Sequence, residues 1–365
     1  MVDLRKLDDV TARLGDVVLD PAGWPSFMDE VCSAVSATGA AMLQSDIRTE
    51  DIPRSESISE YFTKTYFPSN LHVTDIRAAR GVPLMLAGVD VITDADLFDS
   101  ESEMLRDPLY ATLGEFGLKW FAGVGFRAGP ALWAMTIQRS PKEGMFEADE
   151  IKALSRLSTR LTEAASLSTV VGRSAVTGIT SALDLIQVAA IAVGRFGAII
   201  GMNQQANGCL GGDLAIRNNR LLLRDRQANA ELNRLIDQLD HTSDLLTIPT
   251  SPIVVRRIDK RPIVIQMQTV PPAARSPFLG ARAILLIRDL DGSIAFDQAL
   301  LAATFELTPA QARLAARLAR GDSVEDAAEE AGVALATARN QLKSIFQKTG
   351  THRQAELVAL LHRVK

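Results

Sequence analysis

Arg339, Lys343, Lys348 and Arg353 fall in a stretch, Val333 to Arg353, that contains no acidic residue, and Thr337, Asn340, Ser344 and Gln347 stand among them. Guanidinium, ammonium, amide and hydroxyl groups gathered in this way neutralise anionic charge and donate hydrogen bonds. The preceding stretch, Asp322 to Glu330, holds five acids, so charge is sharply segregated. Residues 301–365 carry nine Lys and Arg against seven Asp and Glu, whereas residues 1–300 carry 30 against 37. The net charge of −5 therefore hides an acidic front and a cationic tail. A solvated helix with incidental charge would look similar, so the surrounding pattern has to decide.

Other chemistries find less support. The two cysteines, Cys32 and Cys209, make no disulfide framework and read as buried apolar residues, and four scattered histidines give no metal-ligand spacing. His72 and His241 are the histidines of residues 1–300, and neither sits in a nucleophile–base motif. The expectation is a chain with no catalytic residues, no metal and no cofactor. Gly123, Gly125 and Gly129 suggest a phosphate loop, but a strand follows where a phosphate-binding helix is required. Asp75 beside Arg77 and Arg80 reads as a surface ion pair, and Phe62 and Tyr66, at helical spacing, as core. No strand followed by paired acids marks a phospho-accepting receiver near the start.

The cationic residues need helices to position them. Thr308 and Pro309 open a first helix with Leu314, Ala315 and Leu318 on one face and Gly321 at its end. Ser323 caps a second, with Val324, Ala327, Ala328 and Ala331 as its stripe and Gly332 as its stop. A third buries Ala338, Leu342, Ile345 and Phe346, which turns Thr337, Asn340, Lys343, Ser344 and Gln347 outward with Arg339 on the flank. Gly350 closes it, and Ala355 to Val364 forms a fourth through Leu357, Val358, Leu360 and Leu361. Short helices joined by a glycine turn predict a helix-turn-helix.

At 365 residues, 47% hydrophobic and 23% charged, the chain predicts two or three globular domains. No apolar run is long enough for a membrane span and MVDLRKLDDVTARL is no signal peptide, so a cytoplasmic protein is expected. A helical segment ends near Asp20-Pro21, and Trp24, Phe27, Met28, Val31 and Cys32 form the next stripe. Gly39 to Leu43 reads as a strand, and Phe121–Phe126 with Leu132–Ile137 as a hairpin. A long helix from Ala148 to Val171, ending near Gly172, carries Ile151, Leu154, Leu157, Leu161 and Leu167 as a seam for the sheet or for a second subunit. After a helix near Ala182–Val188, five short strands at 191–193, 198–200, 253–255, 263–265 and 284–287 predict a compact antiparallel sheet.

The stretch LTPAQARLAARLARGDSVEDAAEEAGVALATARNQLKSIFQKTGTHRQAELVALL resembles the LuxR-type helix-turn-helix family, with departures at Gln311, Ala338 and Gln341, each expected to weaken a supporting contact. The resemblance implies that Arg339, Asn340 and Lys343 contact bases in the major groove and that Thr337 and Lys348 lie on phosphates. GRFGAIIGMNQQANGCLG looks like a PAS-like opening hairpin, and WFAGVGFRAGPALWAMTIQRSPKEGMFEADEIKALSRL looks like a GAF- or PAS-like sensory half. Lactone-sensing members of the LuxR type carry Trp-x3-Tyr-x8-Asp-Pro. Here Phe62, Tyr66 and Asp75 fall at that spacing, with Phe for Trp and Ile76 for Pro, and Trp120 and Trp133 would add walls to a small-molecule pocket.

The fold class expected is multidomain α+β. Residues 1–170 and 171–295 form two α/β sensory-type (GAF/PAS-like) domains, and residues 300–365 an all-α four-helix LuxR-type helix-turn-helix domain. The function implied is a non-enzymatic regulator of double-stranded promoter or operator DNA, acting as a homodimer, with RNA polymerase and a small-molecule effector as partners and no membrane. Either Leu357, Leu360 and Leu361 or the long-helix seam would pair the two copies. The rival readings are a front half that docks a protein partner without any ligand, and an enzyme with a DNA-binding tail.

Overall fold

Alternation of apolar residues on both faces of four strands sets the first layer of the structure. In the computed structural model, which describes residues 2–45, 50, 52–241, 251–271, 276–291 and 296–364, these strands are β1 (Gly39–Gln44), β2 (Val91–Thr93), β3 (Trp120–Ala128) and β4 (Ala131–Arg139). They form an antiparallel sheet in the order β1-β4-β3-β2. Ala40, Met42, Val124, Phe126, Met135 and Ile137 face α1 (Leu4–Ala12), α2 (Leu14–Leu19) and α3 (Trp24–Ala34). Ala41, Leu43, Phe121 and Leu132 face the other way. There the chain runs through short helices: α4 (Ser59–Tyr61), a wide π-type turn at Phe62–Tyr66, α5 (Leu71–Thr74), α6 (Ile76–Leu86), α7 (Asp94–Leu97), α8 (Glu101–Met104) and α9 (Pro108–Glu115). Cys32 is buried in α3, and burial pushes its thiol up to about 12.

Gly123 and Gly125 belong to β3, not to a phosphate loop. A Cβ on Gly123 would fall 3.2 Å from the Met85 methyl, and one on Gly125 would fall 3.1 Å from its sulfur. The glycines let Met85 lie directly on the strand.

Helix α10 (Ala148–Leu185) is 38 residues long, about 57 Å at the usual rise per residue. It does not stop near Gly172, and the helix expected near Ala182 is its last turn. Gly172 sits inside it because Leu279 lies 3.0 Å from where its Cβ would be. The residue read as a stop signal is a close-approach glycine. Leu154, Leu157 and Leu161 are fully buried against the first sheet, so they form no seam for a second subunit.

Beyond α10 a second antiparallel sheet holds β5 (Ala189–Val193), β6 (Ile199–Met202), β9 (Ile253–Val255), β10 (Ile263–Thr269) and β11 (Ala283–Asp289), ordered β6-β5-β11-β10-β9. Asn203 caps α11 (Gln204–Gly208) and ties it to α10, accepting from Ala206 N and donating to Thr180 O at 3.2 Å. Helix α12 (Arg226–His241) lays Leu232 and Leu235 into the same core as Ile191, Ile265 and Leu285. The hairpin of β7 (Leu214–Arg217) and β8 (Arg220–Leu223) was not expected from the sequence. Asn218-Asn219, both at positive φ, supplies the tight turn. Phe278, between β10 and β11, enters the first core, with its ring 5.2 Å from Trp133, 5.6 Å from Trp24 and 5.8 Å from Phe126. Both sheets thus lie in one unit, Met1–Leu290, and α10 runs unbroken past residue 170.

The second unit, Asp291–Lys365, is helical. An additional helix, α13 (Gln298–Phe305), precedes the expected four: α14 (Pro309–Arg320), α15 (Val324–Glu330), α16 (Leu335–Thr349) and α17 (Gln354–Val364). Leu301, Leu314, Leu318, Ile345, Leu357 and Leu361 form its core. Leu357 and Leu361 are fully buried there and offer no exposed seam either.

The first unit is clamped at the end of β4. Arg139 donates from Nε to Ser36 O (3.1 Å), from Nη2 to Val35 O (2.6 Å) and from Nη1 to Met145 O (3.1 Å). Both of its terminal nitrogens also bond Glu150, at 2.9 and 3.1 Å. Burial alone would push the Glu150 carboxyl up, but Arg139 and the Glu147 N–H outweigh it and hold it at about 2, below its ordinary 4.5. Removing one partner of a buried pair costs about 3–5 kcal/mol, so Glu150→Gln is expected to lose about that much in urea denaturation at pH 7. A carboxyl lowered on folding contributes stability above its unfolded value and loses it as pH falls through its folded one. The gap between wild type and variant should therefore close between about pH 4.5 and pH 2.

Candidate functional sites: an exposed polar helix and a buried tyrosine–aspartate–arginine cluster

Helix α16 packs Ala338, Leu342, Ile345 and Phe346 inward and leaves Thr337, Arg339, Asn340, Lys343 and Gln347 exposed. Gly332, at φ 65°, makes the tight connection from α15 that a residue with a Cβ would resist. Arg339 reaches Glu325 at 3.0 Å, with both side chains more than half exposed, so the pair is weak and easily exchanged. No side-chain hydrogen bond or ion pair engages Asn340 or Lys343 among the described residues.

Gln311 fixes this helix against α14. Its Oε1 accepts from Thr308 N at 2.9 Å and from Lys348 Nζ at 3.1 Å, while its Nε2 donates to Ser344 Oγ at 3.0 Å. The amide donates to Ser344, which a carboxylate could not do, while its contact with the Lys348 ammonium lacks the charge that a carboxylate would bring. Ser344 is accordingly half-buried rather than turned outward. Lys348 is exposed, but it also donates to Glu306 O at 2.6 Å, which leaves one N–H for another acceptor. The acids before α16 serve the scaffold as well, with Arg317 bonding Asp322 at 2.8 Å and Glu330 at 2.5 Å.

In the first unit, Tyr66 closes the π-type turn and donates to Asp75 Oδ2 at 2.8 Å. Asp75 caps α6, accepting from Arg77 N at 2.9 Å, Arg77 Nε at 3.1 Å and Arg77 Nη2 at 3.0 Å. Asp75 and Arg77 are 5% and 4% exposed, so they are a buried pair and not the expected surface one. Arg80 pairs separately with Glu103 at 2.9 Å. Burial would lower the Arg77 guanidinium's pKa, but Asp75 more than compensates and keeps it charged. Phe62 packs edge-on against Tyr66 at 5.0 Å and shares an apolar cluster with Trp120. Trp133 does not join them. The two-residue alternation of β4 sends its ring to the opposite face, against Phe126 and Phe278.

A cavity of about 40 Å³ lies between α6 and the sheet, bordered by Arg77, Val82, Met85, Ile92, Phe121 and Leu132. From the sequence Arg77 was expected at the surface with Asp75 and not in a pocket, and Asp94, which no motif marks, was not expected at all. Asp94, the first residue of α7, accepts from the Tyr110 hydroxyl and from Phe121 N at 2.7 Å. Burial raises its carboxyl from 3.8 to about 6, with Tyr110, the Phe121 N–H and Arg77 pulling against it.

No family model matches the chain, and no curated protein matches it. Among solved structures, the crystal structure of the phage VqmA-DPO complex is similar at 18% identity, over 52% of this chain and 89% of that one, with a TM-score of 0.20. That score is too low to speak for a shared fold.

The Asp94 carboxyl gives a pH signature. Between about pH 3.8 and 6 the folded state holds a proton that the unfolded chain has lost, so stability falls as pH rises through that window and is level above it. Two units correspond to up to about 3 kcal/mol. Asp94→Asn should remove this slope, read as the wild-type minus variant difference in urea denaturation from pH 3.5 to 7.5. A difference that does not change with pH would place the titration elsewhere.

Proposed function

We propose that the chain is a sequence-specific, non-enzymatic regulator of transcription whose helix α16 enters the major groove of promoter or operator DNA. One observation carries this reading: Arg339, Asn340, Lys343 and Thr337 stand exposed on a helix whose opposite face is locked into the core by Ala338 and Ile345. A major groove admits one such helix, and Arg and Asn bond guanine and adenine edges in pairs. The acid-free surface of α16, the short turn at Gly332 and the similarity to LuxR-type tails support it. Lys348 has one N–H left for a phosphate while it braces α14.

In this reading the first unit is the sensory half. The five-stranded sheet with its β5–β6 hairpin at one edge supports a PAS-like second part, and the four-stranded sheet flanked by helices a GAF- or PAS-like first part. A small-molecule effector, RNA polymerase and cytoplasmic action belong to the same proposal. No described helix is long and apolar enough to cross a membrane.

The regulator works as a homodimer, because one short recognition helix makes too few base contacts and two copies on half-sites about one helical turn apart double them. With Leu154, Leu157 and Leu161 of the long-helix seam and Leu357 and Leu361 of the final helix buried, the seam's exposed Leu167 and the neighbouring Val170 on α10, next to the groove between α10 and α1–α2 that Leu4 also borders, provide the apolar surface. Asp8 on one wall and Arg156 and Arg160 on the other suit a two-fold mate. Leu167→Glu with Val170→Glu should turn a dimer into a monomer in light scattering of the full chain.

DNA binding is tested by selecting a site from random duplexes and measuring each variant on it and on unrelated DNA. Arg339→Ala and Lys343→Ala should each lose about 1–3 kcal/mol of discrimination. Lys348→Ala should weaken binding to every sequence and flatten the salt dependence. Unchanged specific affinity in both of the first two variants would remove α16 from the groove.

A further inference from the structure

We infer that the cavity beside Arg77 is the binding site of a small, flat, uncharged molecule that offers Arg77 a carbonyl-type oxygen and displaces the Met85 side chain from Gly123 and Gly125. This deepens the regulatory reading by naming the effector's chemistry, and its test uses no DNA, so either can fail without the other.

Arg77 borders the cavity and carries an unmatched donor. The residue is 4% exposed, and its Nε and Nη2 are bonded to Asp75, but its Nη1 is buried with no hydrogen-bond partner. Leaving a charged donor unmatched in the interior is costly, so native proteins meet such a donor with a water, an ion or a ligand. Asp75 already neutralises the guanidinium at 3.0 Å. A ligand carboxylate would add a second negative charge beside Asp75, whereas a carbonyl, amide or lactam oxygen satisfies Nη1 and leaves the charge balanced.

Shape selects the rest of the molecule. About 40 Å³ holds little more than a water, well below the size of ordinary ligand sites. Met85, however, fills the space that the missing side chain of Gly125 leaves, 3.1 Å from its would-be Cβ, and shares that of Gly123 with Phe121, at 3.2 and 2.8 Å. Methionine is the side chain most readily repacked. With Met85 turned aside, Gly125 leaves bare strand backbone as a floor, and the Phe121 ring, whose Cζ lies 2.8 Å from where a Gly123 Cβ would be, closes the side, with Arg77 standing over it at 5.0 Å. A slot with a flat floor and an aromatic wall takes a single planar ring. The way in is a surface hollow of about 450 Å³ that shares Ser45, Asp75 and Ala78 with the cavity. Occupancy also has somewhere to be felt. Gln44 borders the cavity and accepts from Arg195 Nη1 at 3.4 Å, a contact between the two sheets.

The test uses the full chain with 2-pyridone and benzamide as flat carbonyl probes and benzoate as their anionic counterpart, titrated by ligand-observed NMR and by the resonance of a ¹³C-labelled Met85 methyl. The neutral probes should bind, shift the Met85 methyl, and bind at least tenfold more tightly than benzoate. Met85→Ala should bind them about tenfold more tightly, and Gly125→Ala, which puts a methyl on the floor, about tenfold more weakly. Arg77→Gln should abolish binding; because it strips a buried pair, the Met85 and Gly125 variants carry the test if it fails to fold. No binding by either wild type or Met85→Ala, equal binding by Gly125→Ala, or benzoate as the tightest probe would each overturn the assignment.

Discussion

Arg139 closes the corner from which the larger unit is built. Its five N–H groups meet the carbonyls of Val35, Ser36 and Met145 and both oxygens of Glu150. These acceptors belong to the end of α3, the approach to α10 and its first turn, so one planar side chain sets two helices against the last residue of β4. A lysine could not, since its three N–H bonds spread from a single nitrogen and form no fork for a carboxylate. Desolvating both charges would be a net loss if any donor were left over, and none is. Glu150 also accepts from Glu147 N at 3.0 Å, so the same ion pair fixes where α10 begins.

The start of α10 in turn sets how the two sheets meet their shared helix. Its register places Leu154, Leu157 and Leu161 on the first sheet and Val176 and Thr180 toward the second. Gly172, between these halves, admits Leu279, and the neighbouring Phe278 enters the aromatic cluster of Trp24, Phe126 and Trp133. Strand β4 touches this cluster and the Arg77 cavity with alternate residues: Trp133 faces Phe278, while Leu132 and Ala134 border the cavity. Close packing makes such a strand a poor cushion, because a change on one face is passed to the other.

Local signals were legible wherever they were also structural causes. Thr308-Pro309 and Ser323 do cap helices, and the apolar alternation around Gly129-Pro130 does make a hairpin. The sequence misled where one residue type serves two physical ends. Gly172 carries the signature of a helix stop yet is there for Leu279, and Leu154, Leu157 and Leu161 repeat as a dimer seam would yet face their own sheet. Asp75 beside Arg77 was readable as a pair, but its depth depends on which helices cover that face, and neighbours in sequence do not reveal this. Of the expected pocket residues, Phe62, Tyr66 and Trp120 share one cluster because a turn and a strand end happen to meet, while strand parity alone separates Trp133.

The two polar sites obey opposite rules. On α16 the polar groups lie in water, so Arg339 can trade Glu325 for another acceptor at little cost, and only the buried face fixes where these groups stand. That is why the Gln311 bridge to Ser344 and Lys348 matters: it stiffens the helix without occupying Arg339, Asn340 or Lys343. Around Asp75 the polar groups lie in the core, where each bond is strong and each unmet donor expensive. Tyr66 and Asp75 are consequently engaged with each other and with Arg77, and the groups at the lactone-type spacing serve as the frame. The one side chain in that frame with a donor to spare is the arginine that the spacing did not include.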